Sequence, residues 1–222
     1  MELQNMDVKK INKQQVEVVA EYLLPEASAE LKIEYCIYGN GKIDVRQTIE
    51  ATDGAELPQM LRFGMVMQMP YDMDESEYYG RGPIENYPDR NSSQRLGIYR
   101  QSADEQFYPY IRPQETGLKT DVSWWKQGNG NNIGIMIAGK QLGMSALHYD
   151  VETLDEGDEK HQRHAGDMLP SQYTNVFIDG EHAGVGGIDS WSHRAEAIKT
   201  YQIKGNRHTM TFSIEPMTGN IK

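Results

Sequence analysis

The sequence predicts an all-β protein built as an antiparallel sandwich, and three observations support this prediction. Apolar and polar residues alternate with period two through much of the chain, as in strands with one buried and one wet face. A Gly-Asn-Gly turn at 39–41 separates two of these runs, and Asn-Gly accepts the positive φ angles of a tight hairpin. Helical periodicity is nearly confined to 152–162, where Gly157 limits it to a turn or two.

The alternating segments give the strands in chain order. They lie at residues 16–24, 31–37, 43–49, 63–70, 133–137 and 208–214. The fourth run carries three methionines on its apolar face, which we interpret as flexible core filling rather than an adaptable ligand surface. Because no repeat, low-complexity tract or linker interrupts the chain, we predict a single domain over residues 1–222.

Charge and composition exclude several classes of partner. The 33 acidic residues outnumber 22 basic ones, and the net charge of −11 would repel nucleic-acid phosphates and anionic membranes. No apolar run reaches membrane-spanning length, and the N-terminus lacks the apolar core of a signal peptide. Cys36 is the single cysteine, so no internal disulfide forms and the cellular compartment stays undetermined.

Residues 78–90, YYGRGPIENYPDR, are predicted to form an ordered loop rather than a strand, because they contain two glycines and two prolines. Five of their side chains are candidates for the rim of a site: Arg81, Glu85, Asn86, Asp89 and Arg90. They could grip a polar ligand, or they could brace the loop through opposite charges and an amide. We favour the bracing interpretation.

Residues 108–117, YPYIRPQETG, place Arg112 and Glu115 on either side of a proline. Glu115 would suit a general base if burial raised its pKa, but an Arg112–Glu115 brace is the commoner outcome. His148, in SALHY, is expected on a strand as a hydrogen-bonded residue of the core or edge rather than as a catalyst. His161 and His164 lack a fixed third ligand, so we predict no metal site in this chain.

Residues 179–191, DGEHAGVGGIDSW, concentrate four glycines in thirteen positions and end in Asp189-Ser190-Trp191. Loops on a rigid scaffold often carry binding groups, and an indole there offers a flat surface for the apolar side of a sugar ring. The alternative is that Trp191 folds back to cap the core. The loop alone does not decide between them.

Four segments taken in order, YYGRGPIENYPDR, YIRPQETG, SALHY and GVGGIDSW, resemble the C-terminal domain of the large β-galactosidases of glycoside hydrolase family 2. The resemblance covers about residues 15 to 215 and implies a β-supersandwich similar to galactose mutarotases. It also implies that Trp191 reaches the active site of a separate catalytic TIM barrel and stacks on the sugar. Ile188 departs from the acid expected there, and the family's W-R-A/P-P-T/N-D-N-D opening does not precede Val16. We therefore expect a fragment that lacks this opening segment.

The resemblance implies a domain of a retaining β-galactosidase, which hydrolyses terminal β-D-galactosides with two carboxylates on the barrel. The domain would shape the rim of the sugar pocket, pack on the barrel of the same polypeptide and contribute to a homo-oligomer. No catalytic residue and no cofactor is expected in this chain, and any Mg²⁺ or Na⁺ would lie on other domains. The isolated chain is expected to be inactive.

Two other functions compete with this one. An autonomous aldose 1-epimerase would need a histidine acid and a carboxylate base in one cleft, and Glu115 with His148 is the pair that the sequence offers. A freestanding carbohydrate-binding module would need neither.

Overall fold

The computed structural model describes residues 1–52, 54–155, 157, 164–187, 189, 192 and 195–217. Two helices of one turn each lie among the described residues, α1 (Ala103–Gln106) and α2 (Val151–Leu154), and neither is long or apolar enough to cross a membrane. Eleven strands make up the rest of the regular structure: β1 (Glu2–Asn12), β2 (Gln15–Leu24), β3 (Ala29–Tyr38), β4 (Ile43–Ala51), β5 (Arg62–Pro70), β6 (Glu75–Gly82), β7 (Arg95–Ser102), β8 (Lys119–Gly128), β9 (Gly134–Leu147), β10 (Tyr173–His182) and β11 (Arg207–Met217).

All pairings between these strands are antiparallel, so the all-β prediction is confirmed. The six alternating runs form β2, β3, β4, β5, β9 and β11. The predicted hairpin joins β3 to β4: the Tyr38 N–H donates to the Lys42 carbonyl at 2.9 Å, and Gly41 adopts φ +86°. Of the weak helical run, Val151–Leu154 forms α2, while 156 and 158–163 lie outside the described residues.

Two local predictions are wrong. Residues 78–82 form the end of β6 rather than a loop, because their glycines allow close packing between strands. A Cβ on Gly80 would lie 2.8 Å from Val122 Cγ2 of β8, and one on Gly82 would overlap Tyr78. We call the remaining segment, 83–90, the ENYPDR loop. His148 follows β9, which ends one residue before it.

The central strand is β9, because it is shared by two branches of the sheet. Its first half, 134–139, pairs with β11, and its second half, 143–147, pairs with β10. In one branch, the sheet continues from β11 through β4, β3 and β2 to the edge strand β1. In the other branch, β10 pairs only with β5 beyond β9. The other edge of β9 pairs with β8, which leads to β6 and β7.

The two branches stack on each other around one main core. Phe63 of β5 places its ring centroid 6.0 Å from that of His208 on β11. Gly180 of β10 faces Met210 of β11 so closely that a Cβ would lie 2.5 Å from the methionine Cβ. On the β8 side, the buried rings of Tyr78 and Trp125 stack with centroids 4.7 Å apart. The architecture is therefore a sandwich, as predicted.

Candidate functional site

Asn86 anchors the ENYPDR loop from inside the protein. Its side chain is fully buried, and its amide nitrogen donates to the carbonyl oxygens of Arg81 at 3.1 Å and Ile84 at 3.0 Å. Its amide oxygen accepts from the N–H and the hydroxyl of Thr120 at the start of β8. Every hydrogen-bonding group of this amide has a partner, so it holds the loop against the sheet.

Glu85 ties the same loop to the turn that contains Glu115, residues 113–117, which we call the PQETG turn. Its carboxylate accepts from the backbone N–H of Gly117 at 2.7 Å and from the Thr116 hydroxyl at 3.1 Å. It also binds the Arg90 guanidinium and the Tyr110 hydroxyl. Four donors on one nearly buried carboxylate make a rigid junction.

Asp89 joins the ENYPDR loop to residues 183–187, the glycine-rich loop. Its Oδ2 accepts from the backbone N–H of Gly186 at 2.7 Å, while its Oδ1 is buried and has no hydrogen-bond partner among the described residues. A Cβ on Gly184 would lie 2.7 Å from the Asp89 Cγ. The approach is thus possible only because glycine has no side chain. Gly184 is held from the other direction by its N–H, which donates to the Tyr201 carbonyl at 2.8 Å.

Behind the loops lies a buried group of charged residues, the Arg62 cluster: Arg62, Glu115, Asp179, His182 and Tyr87. Arg62 Nη2 donates to Glu115 Oε2 at 2.7 Å, and its Nε lies 3.8 Å from Asp179 Oδ2. The same Nη2 lies 3.2 Å from His182 Nε2, and the Tyr87 hydroxyl donates to Glu115 Oε1 at 3.3 Å. One guanidinium therefore faces two carboxyl groups and an imidazole.

The tautomer of His182 follows from its two contacts. Its Nδ1 lies 2.6 Å from the carbonyl oxygen of Ala183, which can only accept, so Nδ1 carries the hydrogen. Nε2 then offers a lone pair to the Arg62 N–H. A second proton on this ring would face the guanidinium.

Burial sets the protonation of the cluster. It raises the pKa of Asp179 to about 7 from an ordinary value of 3.8, against the opposing effect of Arg62. Burial, aided by Arg62, lowers the pKa of His182 to about 4 from 6.5. Burial also raises the pKa of Glu115, although Arg62 and Tyr87 oppose the rise. Removal of a charged group from water disfavours its ionised form in each case.

A cleft of about 920 Å³ opens beside these loops. The side chains of Arg90, Tyr110, Arg112 and Glu115 line it, together with the backbone of Gly184–Gly186. Three loops that the sequence singled out thus converge on one end of the sandwich.

The remaining predicted site residues lie apart from one another. Arg81 pairs with Asp121 and donates to the Gln94 carbonyl at 2.9 Å, while Asp189 accepts from the backbone N–H and the hydroxyl of Ser192. The expected brace between Arg112 and Glu115 is wrong. Arg112 is exposed, and the inward-turned Glu115 pairs with Arg62 of β5 instead.

His148 and Glu115 do not form the pair that an epimerase would need. His148 is buried, stacks on Tyr71 with centroids 3.8 Å apart, and places Nδ1 3.1 Å from Asp104 Oδ1. None of its contacts reaches Glu115, whose neighbouring histidine is His182, with Nε2 3.9 Å from Oε1.

Trp191, the predicted sugar platform, lies outside the described residues, as does His161. His164 is described and places Nδ1 2.9 Å from the Ile111 carbonyl.

Sequence reasoning missed Arg62, Asp179, His182 and Tyr87. One signal was available: Asp179 directly follows the apolar run Val176–Ile178, and a charge at the end of a buried strand needs a partner. The identity of that partner is not visible in the sequence, since Arg62 precedes it by more than a hundred residues.

Comparison with known proteins gives consistent sequence matches. The family model described as β-galactosidase small chain matches residues 1–215. A β-galactosidase of Priestia megaterium is 33% identical over 216 residues, which are 95% of this chain and 20% of that protein. A β-galactosidase of Lactobacillus delbrueckii subsp. bulgaricus is 33% identical over 186 residues, which are 83% of this chain and 18% of that protein. The chain thus spans about a fifth of the length of these relatives.

Among solved structures, the GH36 α-galactosidase AgaA from Geobacillus stearothermophilus aligns with a TM-score of 0.51 and 8% identity, over 98% of this chain and 28% of that one. At this identity the likeness concerns the fold alone. The match of the family model over nearly the whole length establishes the relationship: the chain belongs to the β-galactosidase small-chain family.

Proposed function

We propose that the chain is the C-terminal sandwich domain of a retaining β-galactosidase, which hydrolyses terminal β-D-galactosides with carboxylates on a TIM-barrel domain of the same polypeptide. The supporting observation is the match to β-galactosidases over 95% of this chain but only 20% of the Priestia megaterium protein. Four fifths of that relative are left for other domains. Any Mg²⁺ or Na⁺ of the intact enzyme would lie there.

The end of the sandwich that carries the three loops is the proposed face toward the barrel. Leu61, Ile111 and Val185 are exposed and line the cleft, and such apolar side chains gain from being covered by another domain. The internal bracing by Glu85 and Asp89 would give the barrel a rigid rim, from which Trp191 would contact the sugar.

The chain itself is proposed to supply no catalytic pair. Glu115 and Asp179 already face Arg62, and burial raises the pKa of both carboxyl groups above its ordinary value. A glycosidase needs one acid and one ionised carboxylate that both reach the substrate.

A chimera tests the proposal. The segment of the Priestia megaterium β-galactosidase that matches this chain is replaced by the chain, and hydrolysis of a chromogenic β-galactoside is measured. We expect activity in the chimera and none in a deletion that lacks the segment or in the isolated chain. A control chimera with Val66→Ala, at an exposed position of β5, should match the unmodified one. A folded but inactive chimera, or an active isolated chain, would overturn the proposal.

A further inference from the structure

A second and smaller cleft, of about 330 Å³, opens onto the Arg62 cluster, and we call it the Arg62 cleft. Its polar lining includes Arg62, Glu115 and Asp155, and its exposed apolar lining includes Leu61 and Val151. Apolar walls with a few converging polar groups are typical of small-molecule sites, and the volume is at the lower end of their range.

The charge balance of the cleft selects the kind of ligand. Arg62 already faces Glu115 at 2.7 Å and Asp179 at 3.8 Å, so its charge is compensated before any ligand arrives. An added anion would meet the carboxyl groups of Glu115 and Asp155, which both line the cleft, and an added cation would meet the guanidinium. The favoured ligand is therefore neutral.

The unused hydrogen-bonding capacity selects a polyhydroxylated ligand. Arg62 uses Nη2 for Glu115 and His182, while its Nη1 donates to no described residue. The Glu115 carboxylate accepts one bond at each oxygen, which leaves lone pairs on both. A ligand hydroxyl that donates to Glu115 and accepts from Arg62 would satisfy both groups.

The apolar walls complete the match to a sugar ring. A pyranose has one face rich in C–H groups, and the exposed side chains of Leu61 and Val151 offer an apolar surface in the same cleft. The side chains of Arg62 and Glu115 are 20% and 14% exposed, so both remain reachable from this side.

We propose that the Arg62 cleft binds one neutral pyranose, without chemical change to the sugar. The proposal goes beyond the proposed function, because it requires neither Trp191 nor a second domain. With so few polar contacts we expect a dissociation constant in the millimolar range, which corresponds to roughly 4 kcal/mol of binding free energy.

The test follows the amide NMR signals of the whole chain during titration with D-galactose. Saturable shifts are expected for residues 114–116 and 145–147. Val151→Trp fills the cleft from an exposed position on its lining and should abolish the shifts, while Val66→Trp, at a similarly exposed position of β5 outside the cleft, should leave them unchanged.

Two further ligands and one variant make the test decisive. D-Glucuronate and D-glucosamine carry a negative and a positive charge, and each should bind at least several times more weakly than galactose. Trp191→Ala should leave binding unchanged. The proposal is overturned if no saturable shift occurs, if Val151→Trp has no effect, if glucuronate binds more tightly, or if only Trp191→Ala removes binding. All these outcomes are independent of whether the β-galactosidase chimera is active.

Discussion

Asp179 and His182 both lie on β10 and reach the same buried site, where the pKa of Asp179 is raised and the pKa of His182 is lowered. The unfolded chain loses the aspartic proton near pH 3.8 and the histidine proton near 6.5, whereas the folded chain does so near 7 and 4, respectively. Between about pH 4 and 6.5, each state therefore holds one proton on this pair. Folding moves that proton from the imidazole to the carboxyl group and leaves the total unchanged.

Separation of the two groups by mutation should reveal two opposing pH dependences of stability. In His182→Gln, the raised pKa of Asp179 remains, so the folded state binds the extra proton and stability should fall as pH rises from about 4 to 7. In Asp179→Asn, the lowered pKa of His182 remains, so stability should fall as pH drops from 6.5 to about 4. The wild type should vary less than either variant over the shared window.

Urea unfolding midpoints across this pH range measure both slopes, with Val66→Ala as the control for an unrelated substitution. Identical pH profiles for the wild type and both variants would show that the pair does not exchange a proton on folding.

At the same scale, Trp191 has a prediction that follows from the proposed function. Stacking of a pyranose on an indole contributes on the order of 1 kcal/mol, by analogy with aromatic pairs. In the active chimera, Trp191→Ala should therefore raise KM roughly fivefold with a modest loss of melting temperature, and Trp191→Leu should recover little. Steady-state kinetics together with melting curves distinguish a Trp191 that contacts the sugar from one that caps the core. An unchanged KM with a large fall in melting temperature would instead make Trp191 a core cap.

Among the structural elements, the ENYPDR loop acts as a support for its neighbours. The contact between Asp89 and Gly186 is its link to the glycine-rich loop. Asp89→Ala removes the acceptor and should cost about 2 kcal/mol of local stability, since bonds to charged groups are worth this much. Asp89→Asn keeps an oxygen in reach of the same N–H.

Hydrogen exchange at the Gly186 amide is the direct measurement. Protection should be lost in Asp89→Ala and largely kept in Asp89→Asn, while the Asn86-bonded amide of Thr120 stays protected in both. Equal protection in all three proteins would mean that the glycine-rich loop is ordered by other contacts.

The elements that the sequence revealed are those with one wet face. Alternation marks β2, β3 and β4 because each shows polar residues on its outer side. In β10 the residues from Thr174 to Asp179 are all buried, so no alternation exists to be read, and β1 is exposed along its whole length. The loop residues were visible as hydrogen-bonding groups, but the Arg62 partner of Glu115 lies on a distant strand and leaves no local pattern.

For the whole molecule, the most consequential difference between the order of strands in the sheet and their order in the chain is the position of β11. β11 lies between β4 and β9, in the middle of the sheet, although it follows the other ten strands in the described chain. Until it is present, both β4 and β9 have an unpaired edge along the positions that β11 occupies.

During synthesis on the ribosome, the sandwich therefore cannot close until about residue 217 has left the exit tunnel. A nascent chain that stalls after residue 206 would expose the unpaired edges of β4 and β9. Such edges can pair with strands of other chains and lead to aggregation. We expect the 1–206 truncation to aggregate, and a synthetic peptide of 207–217 added during refolding to restore monomers, as judged by light scattering. A soluble, monomeric truncation would show that strands β1–β10 form a stable fold without β11. If the expectation is met, the strands that precede β11 depend on its synthesis to complete their pairing.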